Sequence, residues 1–390
     1  MLKTIAIFGS SEVSVAQRLQ LDATLKSLVE RIKNEGMVAL VGTGGGVGAI
    51  CAGHAKTLGV QIVGISPCSN AEEHRRLLNE EPGLYGLMIY SGVGYKGRNI
   101  ILARSADAVV AIQGGMGTLH ELATAWDEGK IVGVVRGSEG TAAALFPGIV
   151  DTLPTKNGAA RLVSKASIEE VMDGIIDAHK MRNEAALHNA SVGELFRRAG
   201  AIQEGHFEIT SGHHTSEYWE KARALKDPRI VQEFARRLAS KIRQYATQAP
   251  KIIASPAIGG VIVGQQVAAE LDCDFIFFEK DKRGTLQLSR GYQLERSAPI
   301  AIVDDIVSTG HSIATMQAVL KNHGLDCVGS FVLVDRRGGT PRADRVSLQQ
   351  ELVSLLEKPE PKNIDARHCL LCKNGPAVQI SKQKNVTVRG

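Results

Sequence analysis

The stretch Ile300 to Met316, IAIVDDIVSTGHSIATM, decides how the chain is read. Ile300 to Val303 is too short an apolar run for a helix and suits a strand buried on both faces. Asp304 and Asp305 follow as adjacent carboxylates in an expected acidic turn. Ser308-Thr309-Gly310-His311-Ser312 then leads into a run with helical patterning. Backbone N–H groups and the positive end of a helix dipole make such a loop a seat for a phosphate monoester. Carboxylates one turn earlier would repel a phosphate but accept hydrogen bonds from ribose hydroxyls. One segment therefore carries groups for both ends of a ribose 5-phosphate. A lone Asp-Asp would read as ordinary acidic surface; here the parts stand in the order this chemistry needs.

Upstream, Ile252 to Ser255 reads as a strand and Pro256-Ala257-Ile258-Gly259-Gly260 as a small-residue turn before a helix over Val261 to Leu271. A pyrophosphate could sit against the free amides of that turn. Phe275 to Phe278 is the next strand, followed by Glu279-Lys280-Asp281-Lys282-Arg283-Gly284, then Leu286 to Leu288 and Arg290-Gly291-Tyr292. Charged residues around a glycine suit a mobile lid and, equally, a solvated hairpin.

Ile300–Met316 resembles the phosphoribosyl pyrophosphate (PRPP) signature of type I phosphoribosyltransferases. From about Glu194 to Lys373 the chain resembles orotate phosphoribosyltransferase. The matching parts are Phe207 to Lys221 with its Ser-Gly-x-His, the Pro-Ala-x-Gly-Gly turn, the basic loop with Arg-Gly-Tyr after it, the PRPP motif and the Cys369-x-x-Cys372 ending. The resemblance implies a transferase that joins a base, orotate above all, to PRPP with Mg²⁺ bound mainly through the pyrophosphate. It implies catalytic roles for Lys280, Lys282, Asp304 and Asp305. Substrate would be held by Lys221, Ala257, Gly259, Gly260, Arg290, Ser308, Thr309, Gly310 and Ser312. It also implies a dimer in which the basic loop closes over the partner's site.

The N-terminal half alternates strand-like and helix-like patterns from its first residues. Thr4 to Phe8 reads as a buried strand, and Val15 to Lys33 as a helix with an apolar stripe of Leu19, Leu25, Leu28, Val29 and Ile32. Val38 to Val41 is the next strand, and Gly42-Thr43-Gly44-Gly45-Gly46-Val47-Gly48 opens another helix. Glycines there let a backbone approach a ligand and offer N–H groups at a helix start. No acidic residue ends the strand Gln61 to Ile65, where a ribose-binding carboxylate would stand, so an NAD-type site is rejected. Gly94-Tyr95-Lys96-Gly97-Arg98-Asn99 opens a further helix; Ala108 to Ile112 is a strand, and Gln113-Gly114-Gly115-Met116-Gly117-Thr118-Leu119-His120-Glu121 is another glycine-rich turn. By itself Glu121 reads as a first-turn glutamate favoured by the helix dipole.

Together these turns, Arg98 and Glu121 resemble the Lonely Guy phosphoribohydrolases, over roughly Met1 to Asp177. Gly114 to Glu121 keeps the family's G-G-x-G-T-x-x-E, but Gln113 replaces its proline and Asn99 the lysine after the arginine. The resemblance implies that Arg98 and Glu121 are catalytic and that Gly44, Gly45, Gly46, Gly114, Gly115, Gly117 and Thr118 hold a nucleotide 5′-phosphate. The two departures leave open whether this half hydrolyses a nucleoside monophosphate or only senses one.

At 390 residues the chain is expected to hold two α/β domains, each a mostly parallel sheet flanked by helices: residues 1–181, a linker at 182–191, and 192–390. A net charge of +5 with scattered basic residues points to small phosphorylated ligands and away from nucleic acid. No apolar run reaches the roughly 20 residues that span a bilayer. Six sparse cysteines and no leader before the first strand make a cytoplasmic enzyme the expectation. Cys369-x-x-Cys372, with His368 beside it, is one half of a possible zinc site, but a second pair is missing. His213 and His214 are adjacent and seldom could face one ion together, so no protein-bound metal is expected. A regulator that binds PRPP without catalysis stays as a further alternative, disfavoured by the retained basic loop.

Overall fold

Short β-branched runs alternating with longer amphipathic stretches leave each strand needing cover on both faces, and helices on either side of a parallel sheet supply it. The computed structural model describes residues 2–138, 140–152, 159–208, 212–282, 284–339, 345–358 and 364–379. Ser211 of the Ser-Gly-x-His motif, Arg283 of the basic loop and residues 153–157 lie outside the described residues. The chain forms two units, Met1–Asn183 and Glu184–Gly390.

The first unit runs β1 (Thr4–Gly9), α1 (Val15–Asn34), β2 (Val38–Gly42), α2 (Gly46–Leu58), β3 (Ile62–Ser66), α3 (Ala71–Leu78), β4 (Leu87–Tyr90), α4 (Gly94–Ser105), β5 (Ala108–Ile112), α5 (Met116–Asp127), β6 (Ile131–Val135), α6 (Thr141–Val150), β7 (Arg161–Lys165) and α7 (Ile168–Asn189). Its sheet has the order β4-β3-β2-β1-β5-β6-β7 and every pairing is parallel. Leu25, Leu28 and Ile32 of α1, Cys51 and Ala55 of α2, and Val171 and Ile175 of α7 pack on one face. Leu102 of α4, Leu122 of α5 and Phe146 of α6 pack on the other. Of the expected α1 stripe, Leu19 is exposed; Leu21 takes its place in the core. The chain order reverses between β1 and β5, so their C-terminal ends open a crevice at the usual ligand edge of such a sheet.

α7 continues to Asn189 through most of the interval expected as a linker. Residues 182–190 hold neither glycine nor proline, and Ala185, Ala186 and Leu187 are strong helix formers. The break comes at Ser191, whose side chain accepts a hydrogen bond from Glu194 N and caps the next helix.

The second unit runs α8 (Val192–Arg198), β8 (Ile202–Glu208), β9 (His213–Trp219), α9 (Ala222–Leu225), α10 (Pro228–Tyr245), β10 (Ile252–Pro256), α11 (Gly259–Leu271), β11 (Asp274–Lys280), β12 (Leu286–Gln287), β13 (Pro299–Val307), α12 (His311–Asn322), β14 (Asp326–Asp335), β15 (Leu352–Glu357), β16 (Ile364–Asp365) and β17 (Val378–Gln379). Its main sheet has the order β12-β11-β10-β13-β14-β15, parallel except for the edge hairpin β11–β12. Phe234 and Leu238 of α10 and Val263 and Val267 of α11 cover one face, while Ile313, Met316 and Leu320 of α12 cover the other. A separate sheet, β16-β9-β8-β17, carries the residues leading to Lys221.

One local expectation is corrected. Asp304 and Asp305 lie within β13, not in a turn after it, and Asp304 stands opposite Val332. The long partner β14 extends the ladder to Val307↔Asp335, beyond the apolar run that marks the strand in sequence.

Candidate active sites

In the second unit the chain order reverses between β10 and β13, and the ends of these strands meet the start of α11. A Cβ on Gly259 would lie 1.8 Å from Asp305 Oδ2, and one on Gly260 would lie 2.9 Å from Asp304 Oδ1 and 2.8 Å from Pro256 Cδ. Glycine is required at both positions because the carboxylates occupy the space of a side chain. The adjacent Ala257–Ile258 peptide is cis.

Asp304 and Asp305 are both buried. The Lys221 ammonium lies 2.9 Å from Asp305 Oδ1 and 2.8 Å from Oδ2, reaching over from the residue after β9. Asp304 Oδ1 accepts from the backbone N–H of Asp305 at 2.8 Å. Burial, then the neighbouring Asp305 charge, raises the pKa of Asp304 above the carboxylate range; the Asp305 N–H and Lys221 act in the opposite direction. The pair is thus asymmetric, with one carboxylate neutralised by an ammonium and the other held toward its protonated form.

Past β13, Gly310 (φ +89°) precedes the first turn of α12 and has no side chain to cap it. Thr309 Oγ1 accepts from His311 N at 3.3 Å, and Thr309 is exposed while Ser308 and Ser312 are half-buried. Amides at an uncapped helix start form an anion seat. The structure therefore brings Lys221, Gly259, Gly260, Asp304, Asp305 and the Ser308–Ser312 loop to one sheet edge.

The basic loop is a hairpin. Lys280 ends β11 opposite Leu286, and the Asp281 carboxylate accepts from Thr285 N and Gln287 Nε2, each at 2.9 Å. Lys280 and Lys282 are exposed. Arg290, expected to bind substrate, clasps Glu279 through two hydrogen bonds of 2.7 and 2.6 Å. With Ser289 it holds the Glu279 pKa down at about 2.

In the first unit the glycine turns differ from each other. The N–H groups of Gly44 and Gly45 donate to Glu80 Oε2 and Oε1 at 3.0 and 3.2 Å, and Tyr85 Oη donates to Oε1 at 3.0 Å. A carboxylate of the chain thus sits where Gly44, Gly45 and Gly46 are expected to hold a phosphate. Gly46 lies against the Ser10-Ser11 backbone: a Cβ there would be 1.9 Å from Ser10 O.

The turn at Gly114 is free of any such carboxylate among the described residues. Gly114 (φ +113°) lies against Thr118, and Gly140 packs on its backbone. A Cβ on Gly115 or Gly117 would meet no atom of the described residues within 4 Å. Gln113 has φ +61°, which a proline ring cannot adopt. Replacing the family's proline therefore changes the backbone as well as the side chain.

Arg98 lies on Gly42, where a Cβ would be 1.3 Å from its Nη1. Arg98 and Glu121 are both buried, and Arg98 Nε has no hydrogen-bond partner among the described residues. Burial pushes Glu121 up to about 7 although the charge of Arg98 pulls it down; burial likewise lowers Arg98, with Glu121 opposing.

Two features escaped the sequence reading. Nothing in the Asn79-Glu80-Glu81 run distinguishes Glu80 from its exposed neighbour. The other is a cluster able to hold a metal, His206, His214, Cys369 and Cys372, whose pairs lie far apart in the chain.

Comparison with known proteins accounts for both units. The SLOG cluster4 family matches residues 2–172, and the phosphoribosyl transferase domain matches residues 222–354. An orotate phosphoribosyltransferase of Chlorobium phaeobacteroides (strain BS1) is 32% identical over 194 residues, 50% of this chain and 95% of that protein. One from Desulforamulus reducens is 31% identical over 194 residues, covering 50% and 96%. A solved orotate phosphoribosyltransferase from Aeropyrum pernix is 22% identical, covers 43% of this chain and 93% of its own, and has a TM-score of 0.35.

Proposed function

Through its second unit the chain belongs to the orotate phosphoribosyltransferase family, and from that premise we propose that it transfers phosphoribose from PRPP to orotate. The observation that carries this reading is the asymmetric carboxylate pair beside an uncapped helix start. Ribose hydroxyls would bond to Asp304 and Asp305, and the 5′-phosphate would take the amides and hydroxyls of Ser308, Thr309, Gly310 and Ser312. Pyrophosphate would lie against the α11 start at Gly259 and Gly260, beside Ala257, whose own N–H is taken by Phe278 O at 2.9 Å. In the reaction a ring nitrogen forms a bond to C1 as the C1–O bond breaks, and the bonding electrons leave with pyrophosphate. Positive charge grows on the ribose meanwhile, and a carboxylate beside it lowers that barrier.

Magnesium fits as part of the substrate. Asp305 is already neutralised by Lys221, and an ion held by pyrophosphate oxygens needs few protein ligands. Bound that way it would offset the charge of the leaving group. Lys280 and Lys282 would add cations from the hairpin, whose closure would exclude the water that competes for the oxocarbenium-like centre. Closure over a second copy's site makes a homodimer part of the proposal.

The first unit is a SLOG cluster4, Lonely Guy-like domain, and its part in the proposal is hydrolysis of a nucleoside 5′-monophosphate at the glycosidic bond. Glu121, with a pKa near 7, would face the charge developing at C1, and Arg98 would orient phosphate or base. A second reading, a nucleotide sensor, is favoured by Gln113, by Asn99 and by Glu80 lying on the Gly44–Gly45 amides. The experiment is a screen of bases with PRPP and Mg²⁺, run beside nucleotide hydrolysis by the same preparation. Nucleotide formation with orotate supports the transferase reading, and none with any base sinks it. Base release from nucleotides separates hydrolase from sensor.

A further inference from the structure

The cysteine pair near the C-terminus does have a second pair of ligands, supplied by the β8–β9 hairpin. His206 Nε2 lies 3.5 Å from Cys369 Sγ and 3.7 Å from Cys372 Sγ, and His214 Nδ1 lies 3.3 Å from Cys372 Sγ. The two ring nitrogens are 2.8 Å apart. All four donor atoms lie within 4.8 Å of one another.

With Zn–S near 2.3 Å and Zn–N near 2.05 Å, a tetrahedral ion spaces sulfur and nitrogen about 3.6 Å apart and two nitrogens about 3.3 Å apart. The three sulfur–nitrogen separations bracket the first value. The nitrogens need open by only about 0.5 Å to reach the second. We propose that His206, His214, Cys369 and Cys372 form a structural zinc site.

Three further observations support it. His206 Nδ1 is 3.1 Å from Gly375 O, a carbonyl that can only accept, so Nδ1 carries the proton and Nε2 turns its lone pair to the cluster. That backbone partner on the outer nitrogen is the usual support of a metal-bound imidazole. His214 and Cys369 are buried, whereas Cys372 is exposed and gives an ion an entry side. Two thiolates balance the charge of one divalent cation, and four protein ligands leave no position for water or substrate, which makes the site structural.

The fold supplies a reason for a staple here. The C-terminal segment joins this sheet through β16 and β17, strands of two residues each, paired with β9 at His214 and His213 and with β8 at Phe207 and Glu208. Such short ladders hold little by themselves. An ion would fasten the 3₁₀ turns at Ala366–His368 and Leu370–Asn374 to the hairpin that leads into Lys221.

The test uses the full-length chain, purified without a polyhistidine tag and under a phosphine reductant. Elemental analysis should find about one zinc per chain. It should be lost in Cys369→Ser/Cys372→Ser and in His206→Ala, and kept in Cys273→Ser, Cys327→Ser and His213→Ala. Stripping with a chelator should lower the melting temperature, and zinc added back should restore it. Should the ligand variants fail to fold, cobalt(II) added to stripped wild type still decides: tetrahedral bands with thiolate charge transfer are expected. Six-coordinate cobalt spectra, a chain purified without metal that binds none, or zinc that persists in the double-cysteine variant each overturn the site. A Cys369–Cys372 disulfide that persists under the reductant overturns it too.

Discussion

Lys221 and Asp305, far apart in sequence, form a two-pronged ion pair of 2.9 and 2.8 Å, with the Asp305 carboxylate buried and the ammonium about half exposed. The lysine pairs with one member of the carboxylate pair, while burial and the adjacent carboxylate raise the pKa of the other. Removing the ammonium while leaving the carboxylate costs more than the net worth of the bond, about 1–3 kcal/mol for a buried group left unsatisfied. Lys221→Ala should therefore lower both stability and transferase kcat/KM. Adding Asp305→Asn to it should recover stability but not rate. The double-mutant cycle, read by denaturant unfolding and by turnover, checks both halves; additive stability effects would mean the pair is not coupled.

Gly259→Ala places a methyl group 1.8 Å from Asp305 Oδ2. Either the helix start or the carboxylate must shift, and a misplacement of about 1 Å at a reacting centre can cost about 10²-fold in rate. The expected result is a folded protein with that scale of loss in kcat/KM. Gly53→Ala is the control, because a Cβ there meets nothing among the described residues within 4 Å. Equal activity of the two variants would count against the α11 start as part of the site.

The Glu121 pKa rises from the ordinary 4.5 to about 7 on folding, mainly through burial. The unfolded chain therefore releases this proton at lower pH than the folded one, and stability falls as pH rises between about 4.5 and 7. Below that window both states are protonated and the penalty is absent. Glu121→Gln should abolish the penalty, so its stability relative to wild type should grow from pH 5 to pH 8. The same variant should lose nucleotide hydrolysis while retaining nucleotide binding. A stability difference that does not change with pH would contradict the buried, titrating carboxylate.

Glu80 competes for the amides of Gly44 and Gly45. If an anion must displace it, Glu80→Ala should tighten binding of a nucleoside 5′-monophosphate, measured calorimetrically. The direction matters more than the size. Unchanged affinity would locate the phosphate at the Gly114 turn alone, and weaker binding would make Glu80 a support of the loop.

Neutralising the hairpin cations should act on the leaving group. Lys280→Ala and Lys282→Ala should each cut transferase turnover, whereas Arg290→Ala should act chiefly on the hairpin, since Arg290 is already paired with Glu279. Sedimentation should find at least a dimer. Full activity of a monomer at high dilution would contradict completion of the site by a second copy.

Local pattern was enough for most of the architecture. Apolar runs of four or five residues, glycine-rich turns and amphipathic stretches place β1, α1, β2, β5, β10 and β13 within a residue or two of their starts, because a buried strand and an amphipathic helix write their periods directly into the chain. The order of Asp304, Asp305 and Ser308–Ser312 made the PRPP-like segment readable for the same reason: a strand-to-helix connection presents its groups in sequence order. What sequence could not supply was any relationship made by packing across elements. Glu80 looks like Glu81 until the fold sets it on the Gly44–Gly45 amides. Nothing in the run around Arg290 says that it pairs with Glu279 across the hairpin. His214 pairs in sequence with His213 and not with His206, until β16 and β17 bring Cys369 and Cys372 beside His206 and His214. Such contacts depend on which surfaces meet, and only the closed sheets with their helices decide that.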